Sequence, residues 1–250
     1  KANSNGDPVT ATENRYQDFV NIHRTAMMPA NRTISRAHGL MLQHRGLSNF
    51  LSWHRAYLCV FEDELIAEGG IPIPYWDWYN DQSLPSEISV SSDLTNWSVT
   101  RNVGGDLTIG SDGRVFGRFN DKSEVAEHWK ISVDNPNWER FQRDLETPIH
   151  DRIHVMIGGD MVTGASPADP IFWMHHAFID KYWADFQTIM NNTVQPSNTS
   201  DVLEPSGAFN NMTVQDVIDY RTSCKYEYEE TFFIPVINGP VTNEQGTVTV

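Results

Sequence analysis

The sequence predicts a mainly α-helical domain: a four-helix bundle wrapped by long loops, with a few short strands. Two observations support this prediction. Apolar residues recur at helical spacing around residues 16–27 and 54–65, and an aspartate–proline pair opens a long apolar run at residue 169. A chain of 250 residues is long enough to bury one core. We therefore expect one domain over residues 1–250, with a polar tail at 1–13 and an extended C-terminal segment at 231–250.

Each predicted element follows from its local pattern. The first helix, over 14–29, carries His23 on its apolar face, and the second, over 53–68, ends at the pair Gly69-Gly70. The remaining predictions are helices over 134–158, 169–190 and 211–221, a Ser-, Asp- and Gly-rich connection with short strands over 81–125, and a loop over 191–210. The aromatic motif PYWDW at 74–78 is predicted to belong to the core.

Histidine is concentrated in the segment 150–183, which holds four of the nine histidines among apolar and aromatic residues. His150 and His154 are four residues apart, so a helix places both rings on one face. His175 and His176 lie on the helix that begins after Asp169. Buried, uncharged imidazoles need partners, and this density favours a metal site over a solvated helix face.

A second set of histidines lies in the N-terminal part of the chain. His23 and His54 each occupy an apolar helix face, and the connecting segment contributes His38 and His44. His128 lies outside both sets. Ligation by imidazole alone excludes calcium and magnesium, which prefer oxygen. Two facing trios of histidine favour a pair of copper ions, because di-iron bundles use Glu-x-x-His pairs that occur at neither trio.

These segments resemble the type 3 copper proteins, and within them the tyrosinase and catechol oxidase branch, in a short, fungal-like secreted form. The resemblance rests on FVNIH, QHRGLSNFLSWHRAYLCVFEDEL, HDRIH and DPIFWMHHAFIDKYW, and extends to CKYEYEE at 224–230. It implies that one copper is bound by His23, His44 and His54, and the other by His150, His154 and His176. His175 then becomes a neighbour that orients the ligands. Arg15 and the tyrosines of Tyr226-x-Tyr228 resemble the clamp that ties the ends of the family's catalytic domain together.

The sequence departs from the family pattern at several positions. The interval from His44 to His54 is one residue longer than usual, so His38 remains the alternative ligand to His44. Leu42 stands where many members have a cysteine that is cross-linked to the loop histidine. Asp151 stands where strong monophenolases often have asparagine, and Glu146 matches an acidic residue that holds a water nearby. Asp151 and Glu146 are therefore the candidate catalytic residues, either controlling phenol deprotonation or serving as ordinary helix-start carboxylates.

The function implied by the resemblance is oxidation of o-diphenols to o-quinones by O2, with weaker ortho-hydroxylation of monophenols. A hemocyanin-like oxygen carrier and an o-aminophenol oxidase are the alternatives. The expected partners are O2 and small phenols. A net charge of −15 argues against nucleic acid and anionic membranes, and no apolar run is long enough to span a membrane. Family members often carry a C-terminal covering domain, and the chain resembles an uncovered form.

Secretion is predicted from the glycosylation sequons. N-x-[ST] occurs at five positions, which are Asn31, Asn96, Asn191, Asn198 and Asn211. Five sequons in one acidic chain favour an extracellular glycoprotein. The two cysteines, Cys59 and Cys224, form either a disulfide or a pair of buried thiols.

Overall fold

The computed structural model describes residues 15–28, 36–38, 48–81, 83–85, 88, 99, 101, 107–109, 115–117, 122–229, 242–243 and 246–247. Its longer helices are α1 (Arg15–Met27), α2 (Phe50–Ala67), α3 (Lys122–Asp134), α4 (Trp138–Asp144), α5 (Asp151–Ile157) and α6 (Ile171–Ile189). Two short helices follow, α7 (Val214–Ile218) and α8 (Tyr220–Ser223). The strands pair antiparallel as β1 (Leu107–Ile109) with β2 (Val115–Gly117), and β3 (Thr242–Asn243) with β4 (Gly246–Thr247). The chain is therefore mainly helical, as the sequence predicts.

Helices α2 and α6 form the centre of the molecule and pack against each other. Ten consecutive residues of α2, from Phe50 to Cys59, are buried. Helix α6 is buried over nearly its whole length, from Ile171 to Gln187, with only Met174 partly exposed. A helix that is apolar on all sides needs cover on all sides. The neighbouring helices and the loops provide that cover, so α6 and the first half of α2 are shielded from water. No helix in the described part of the chain is long and apolar enough to cross a bilayer.

The helix predicted over 134–158 is wrong as a single element. The chain forms α4, a kinked turn over Leu145–His150, and then α5, and Thr147 within the turn has extended dihedral angles, with φ −137° and ψ 126°. The cause is Pro148, because a proline disfavours helical conformation in the residue before it. Helix α3 was also missed, since most of it lies just beyond a segment predicted to be a connection. Glu146 and His150 both lie within this kinked turn, immediately before α5 begins at Asp151.

A buried ion pair joins the two central helices. Arg55 Nε donates to Asp180 Oδ1 at 2.6 Å, and the guanidinium lies over the Trp183 ring at 3.4 Å from its centroid. The hydroxyls of Tyr226 and Tyr228 donate to Asp180 Oδ2 at 2.5 and 2.8 Å. The C-terminal tyrosines are thus fixed to α6.

The resemblance of Arg15 and these tyrosines to the family's clamp does not hold for Arg15 within the described part of the chain. Arg15 pairs instead with the partly exposed Glu64 at 2.8 Å and with the buried Asp18 at 3.6 Å. The arginine that shares the Asp180 carboxylate with these tyrosines is Arg55, which is fully buried, whereas the Arg15 side chain is 58% exposed. The structure also joins Cys59 of α2 to Cys224 as a disulfide, which resolves the alternative that the sequence left open.

Candidate metal centre

The first histidine cluster brings together His23 of α1, His54 of α2 and His38 from the segment between them. One ring nitrogen from each of the three lies within 4.8 Å of the others. The His38 ring centroid is 5.0 Å from that of His54 and 6.1 Å from that of His23. His44, the ligand implied by the resemblance, lies outside the described residues. Within the described part of the chain, His38 completes this trio.

The second cluster contains four histidines, His150, His154, His175 and His176, with ring nitrogens again within 4.8 Å of one another. The Nε2 atom of His176 lies 3.3 Å from Nε2 of His150 and 3.3 Å from Nε2 of His154. Three Nε2 atoms therefore converge on one point. His154 reaches it from the last turn of α5, His150 from just before that helix, and His176 from α6.

The two clusters face each other across a short distance. The rings of His54 and His176 are stacked, with centroids 4.2 Å apart and planes 9° from parallel. Two aromatic side chains line the same space. Phe50 lies 4.7 Å from His150 and Phe172 lies 4.2 Å from His176 between ring centroids, and both phenylalanines are fully buried. The histidines therefore surround one dry compartment with two adjacent sets of nitrogen atoms.

Backbone carbonyls determine which ring nitrogen is available to a metal. Nδ1 of His23 lies 2.8 Å from the Gly164 carbonyl, Nδ1 of His54 lies 2.9 Å from that of Phe50, and Nδ1 of His154 lies 2.6 Å from that of Met161. A carbonyl can only accept, so each Nδ1 carries the proton. Each Nε2 then holds a free lone pair. Nε2 of His23 and of His54 is buried, and neither has a hydrogen-bond partner in the described structure.

Carboxylates occupy the corresponding position at two other rings. His38 Nδ1 lies 3.3 Å from Glu146 Oε1, and the Glu146 side chain is only 2% exposed. His150 Nδ1 lies 3.0 Å from Asp151 Oδ1, whose other oxygen accepts from the Thr147 hydroxyl at 2.5 Å. Both carboxylates therefore favour the same tautomer that the carbonyls impose elsewhere. The sequence singled out Glu146 and Asp151 but did not indicate that they contact ring nitrogens.

Burial keeps these rings uncharged. It lowers the pKa of His23 to about 3 and that of His154 to about 4, with neighbouring histidines acting in the same direction. Burial is also the main reason why the pKa values of His54, His150 and His176 lie well below 6.5. Neutral imidazole is the form that binds metal. Orphaned Nε2 atoms, convergent geometry and neutral rings together fit two metal ions, each held by nitrogen.

The comparisons with known proteins agree with this geometry. The family model described as "Tyrosinase: Common central domain of tyrosinase" matches residues 13–136 and 111–189. The chain belongs to the tyrosinase family. A tyrosinase of Streptomyces lincolnensis is 33% identical over 204 residues, which cover 69% of this chain and 72% of that protein. A tyrosinase of Streptomyces glaucescens is 28% identical over 85% of this chain and 89% of its own length.

Membership of the family assigns the metal. The tyrosinase family binds two copper ions through histidines, and this protein is accordingly a copper oxidoreductase of the type 3 class. Hemocyanin 2 of Megathura crenulata is also similar, at 28% identity over 75% of this chain and 6% of that protein. The chain is therefore similar both to proteins named tyrosinase and to a protein named hemocyanin.

The pKa values predict how the metal-free protein responds to acid. The unfolded chain binds protons on histidine near pH 6.5, whereas folded His154 does so only near pH 4. Between these values the unfolded state binds more protons, so the free energy of unfolding decreases as the pH falls. It should be highest above pH 6.5, with a slope of up to about 1.4 kcal/mol per pH unit for each such histidine.

Urea unfolding of the chelator-treated protein at a series of pH values measures this slope. The variant His154→Gln isolates one ring, since its profile should be flatter by the contribution of that histidine. Parallel profiles for the two proteins between pH 6.5 and 4.5 would contradict the assignment of a lowered pKa to His154.

Proposed function

We propose that this protein oxidises o-diphenols to o-quinones with O2. The observation that carries the proposal is the pair of three-imidazole sets facing each other, with the His54 and His176 rings stacked at 4.2 Å. Two coppers held there supply a two-electron acceptor for a catechol and a binding place for O2. Two catechols give four electrons and four protons to one O2, and the products are two quinones and two waters.

The chain's own residues prepare the compartment for this chemistry. The carbonyls of Gly164, Phe50 and Met161 hold three rings by Nδ1, so their Nε2 atoms stay aimed inward. Phe50 and Phe172 exclude water beside the rings. We propose that substrate enters from solvent near Val155, the residue after His154, which is 65% exposed. An exposed apolar side chain at this point suits the ring of a small phenol.

We propose His38 as the third ligand of the first copper, in place of His44. Its ring nitrogen lies within 4.8 Å of those of His23 and His54, and Glu146 orients it as carboxylates orient metal-bound histidines. The variants His38→Gln and His44→Gln form a matched pair. His38→Gln should bind one copper per chain and His44→Gln should bind two, as measured by elemental analysis after dialysis. The reverse result would restore His44 as the ligand.

Glu146 and Asp151 are proposed to act through His38 and His150 as positioning residues. Their carboxylates contact Nδ1 of these rings, at 3.3 and 3.0 Å. An ionised carboxylate only accepts hydrogen bonds, whereas an asparagine amide can also donate to a water near the phenol. Asp151 therefore favours diphenol oxidation over the deprotonation and hydroxylation of monophenols.

The substitution Asp151→Asn tests this preference. The ratio of monophenol to diphenol turnover should rise, by roughly tenfold if an ordered water begins to assist deprotonation. Glu146→Gln should change the ratio and its pH profile as well, with copper content measured in parallel. Asp144→Asn is the matched control, because Asp144 pairs with Arg143 on the surface. Equal ratios in all four proteins would reject a role for either carboxylate in phenol chemistry.

An oxygen carrier is the second candidate, favoured by the similarity to hemocyanin over 75% of the chain. Catechol added to the copper-loaded protein under air separates the two, since only an oxidase accumulates quinone. A reversible colour change on exposure to O2 without quinone formation would favour the carrier. The same assay with o-aminophenols tests the remaining alternative.

We also propose that the protein is secreted and carries glycans at Asn191 and Asn211. Both side chains lie in exposed turns, with φ of 47° and 60°. At Asn198 the amide nitrogen, to which a glycan would be attached, donates to Asn49 and to Asp201. Asn31 and Asn96 lie outside the described residues.

Expression in a eukaryotic secretory host, followed by peptide mass spectrometry with and without enzymatic deglycosylation, tests the glycan assignment. We expect occupancy at Asn191 and Asn211 and an unmodified Asn198, because folding ties up the Asn198 amide. Full occupancy at Asn198 would contradict this interpretation.

A further inference from the structure

The second cluster contains one more histidine than a three-coordinate copper requires. His175 is fully buried, and its ring lies nearly parallel to that of His150, with centroids 5.2 Å apart and planes 14° from parallel. One of its nitrogens lies within 4.8 Å of those of His150, His154 and His176. Distance alone therefore does not prevent His175 from becoming a fourth ligand.

The indole of Trp78 distinguishes His175 from the other histidines of the cluster. Trp78 Nε1 donates to His175 Nδ1 at 3.0 Å, and both side chains are fully buried. An indole N–H can only donate, so Nδ1 of His175 must hold the lone pair. Trp78 is the last residue of PYWDW, which the sequence predicted as a core motif, and no role for its N–H was expected.

The consequence is a reversed tautomer at one ring. A neutral imidazole carries one proton, so the His175 proton lies on Nε2, whereas His154 carries its proton on Nδ1 against the Met161 carbonyl. Nε2 of His175 is buried and has no hydrogen-bond partner among the described residues. A protonated nitrogen has no lone pair to offer to a metal.

We propose that the hydrogen bond from Trp78 keeps His175 from binding copper and so holds the second copper at three histidine ligands. A fourth imidazole would fill the position that O2 or substrate requires. Trp78 is therefore a positioning residue that acts through His175. This inference concerns the metal site alone and is independent of which phenol the protein oxidises.

The first test needs no variant. In the metal-free protein labelled with 15N-histidine, long-range 1H–15N correlation spectra identify the protonated nitrogen of each ring. We expect one buried ring with the proton on Nε2, assigned to His175 by its loss in His175→Phe. Finding the Nδ1–H form at His175 would overturn the proposal directly.

The second test uses azide binding to the copper-loaded, oxidised protein as a probe of the open position. Trp78→Phe removes the N–H and leaves His175 free to change tautomer and coordinate. Its azide affinity should fall by roughly tenfold or more, and X-ray absorption should show additional nitrogen ligation. The double variant Trp78→Phe with His175→Phe should recover wild-type affinity, because the competing ligand is gone.

Trp76→Phe is the matched control, since it removes the volume of a buried indole from the same segment. Its azide affinity should equal that of the wild type. Unchanged affinity in Trp78→Phe, or a loss that the double variant does not restore, would show that Trp78 acts only through packing. Neither result depends on phenol turnover, so failure here is distinguishable from failure of the proposed activity.

Discussion

Most of this structure is organised around the burial of uncharged imidazoles. Each ring taken out of water must find a partner for its N–H, because an unpaired buried donor costs about 1–3 kcal/mol. The fold meets this requirement with backbone carbonyls for His23, His54 and His154, whereas Nδ1 of His176 and Nε2 of His175 have no partner among the described residues. Gly164 and Met161 lie in the turns between α5 and α6, and their carbonyls bond His23 and His154. These turns therefore supply the hydrogen-bond acceptors that the buried rings of His23 and His154 require.

Charge explains the placement of the carboxylates. Two copper ions add positive charge to a compartment whose ligands are neutral, and a buried charge needs a compensating partner. Glu146 and Asp151 lie behind His38 and His150, on the far side of each ring from the convergent nitrogens. Each carboxylate thus acts on its metal site through the histidine that it contacts. Between the two central helices, Arg55 and Asp180 meet the same requirement for each other.

Much of the site could be predicted from the sequence because helical spacing is local. The apolar faces around His23 and His54, the pair His150 and His154, and the run after Asp169 each indicated a buried helix with inward histidines. The kink at Thr147 was also within reach of the sequence, since Pro148 disfavours a helical residue before it.

The contacts between distant segments could not be predicted in this way. Trp78 and His175 are separated by 97 positions, and His38 and Glu146 also come from separate segments. No local pattern specifies which nitrogen of a ring meets which donor. The structure therefore adds the tautomers, and with them the distinction between three ligands and a fourth neighbouring ring.

We propose that two adjacent sets of three imidazoles hold a coupled pair of copper ions. Total copper and paramagnetic copper, measured in one sample of oxidised protein, test this arrangement. We expect two coppers per chain with almost no electron paramagnetic resonance signal, because the spins of two coupled ions cancel. A single copper per chain, or two coppers that give the full signal of isolated ions, would contradict it.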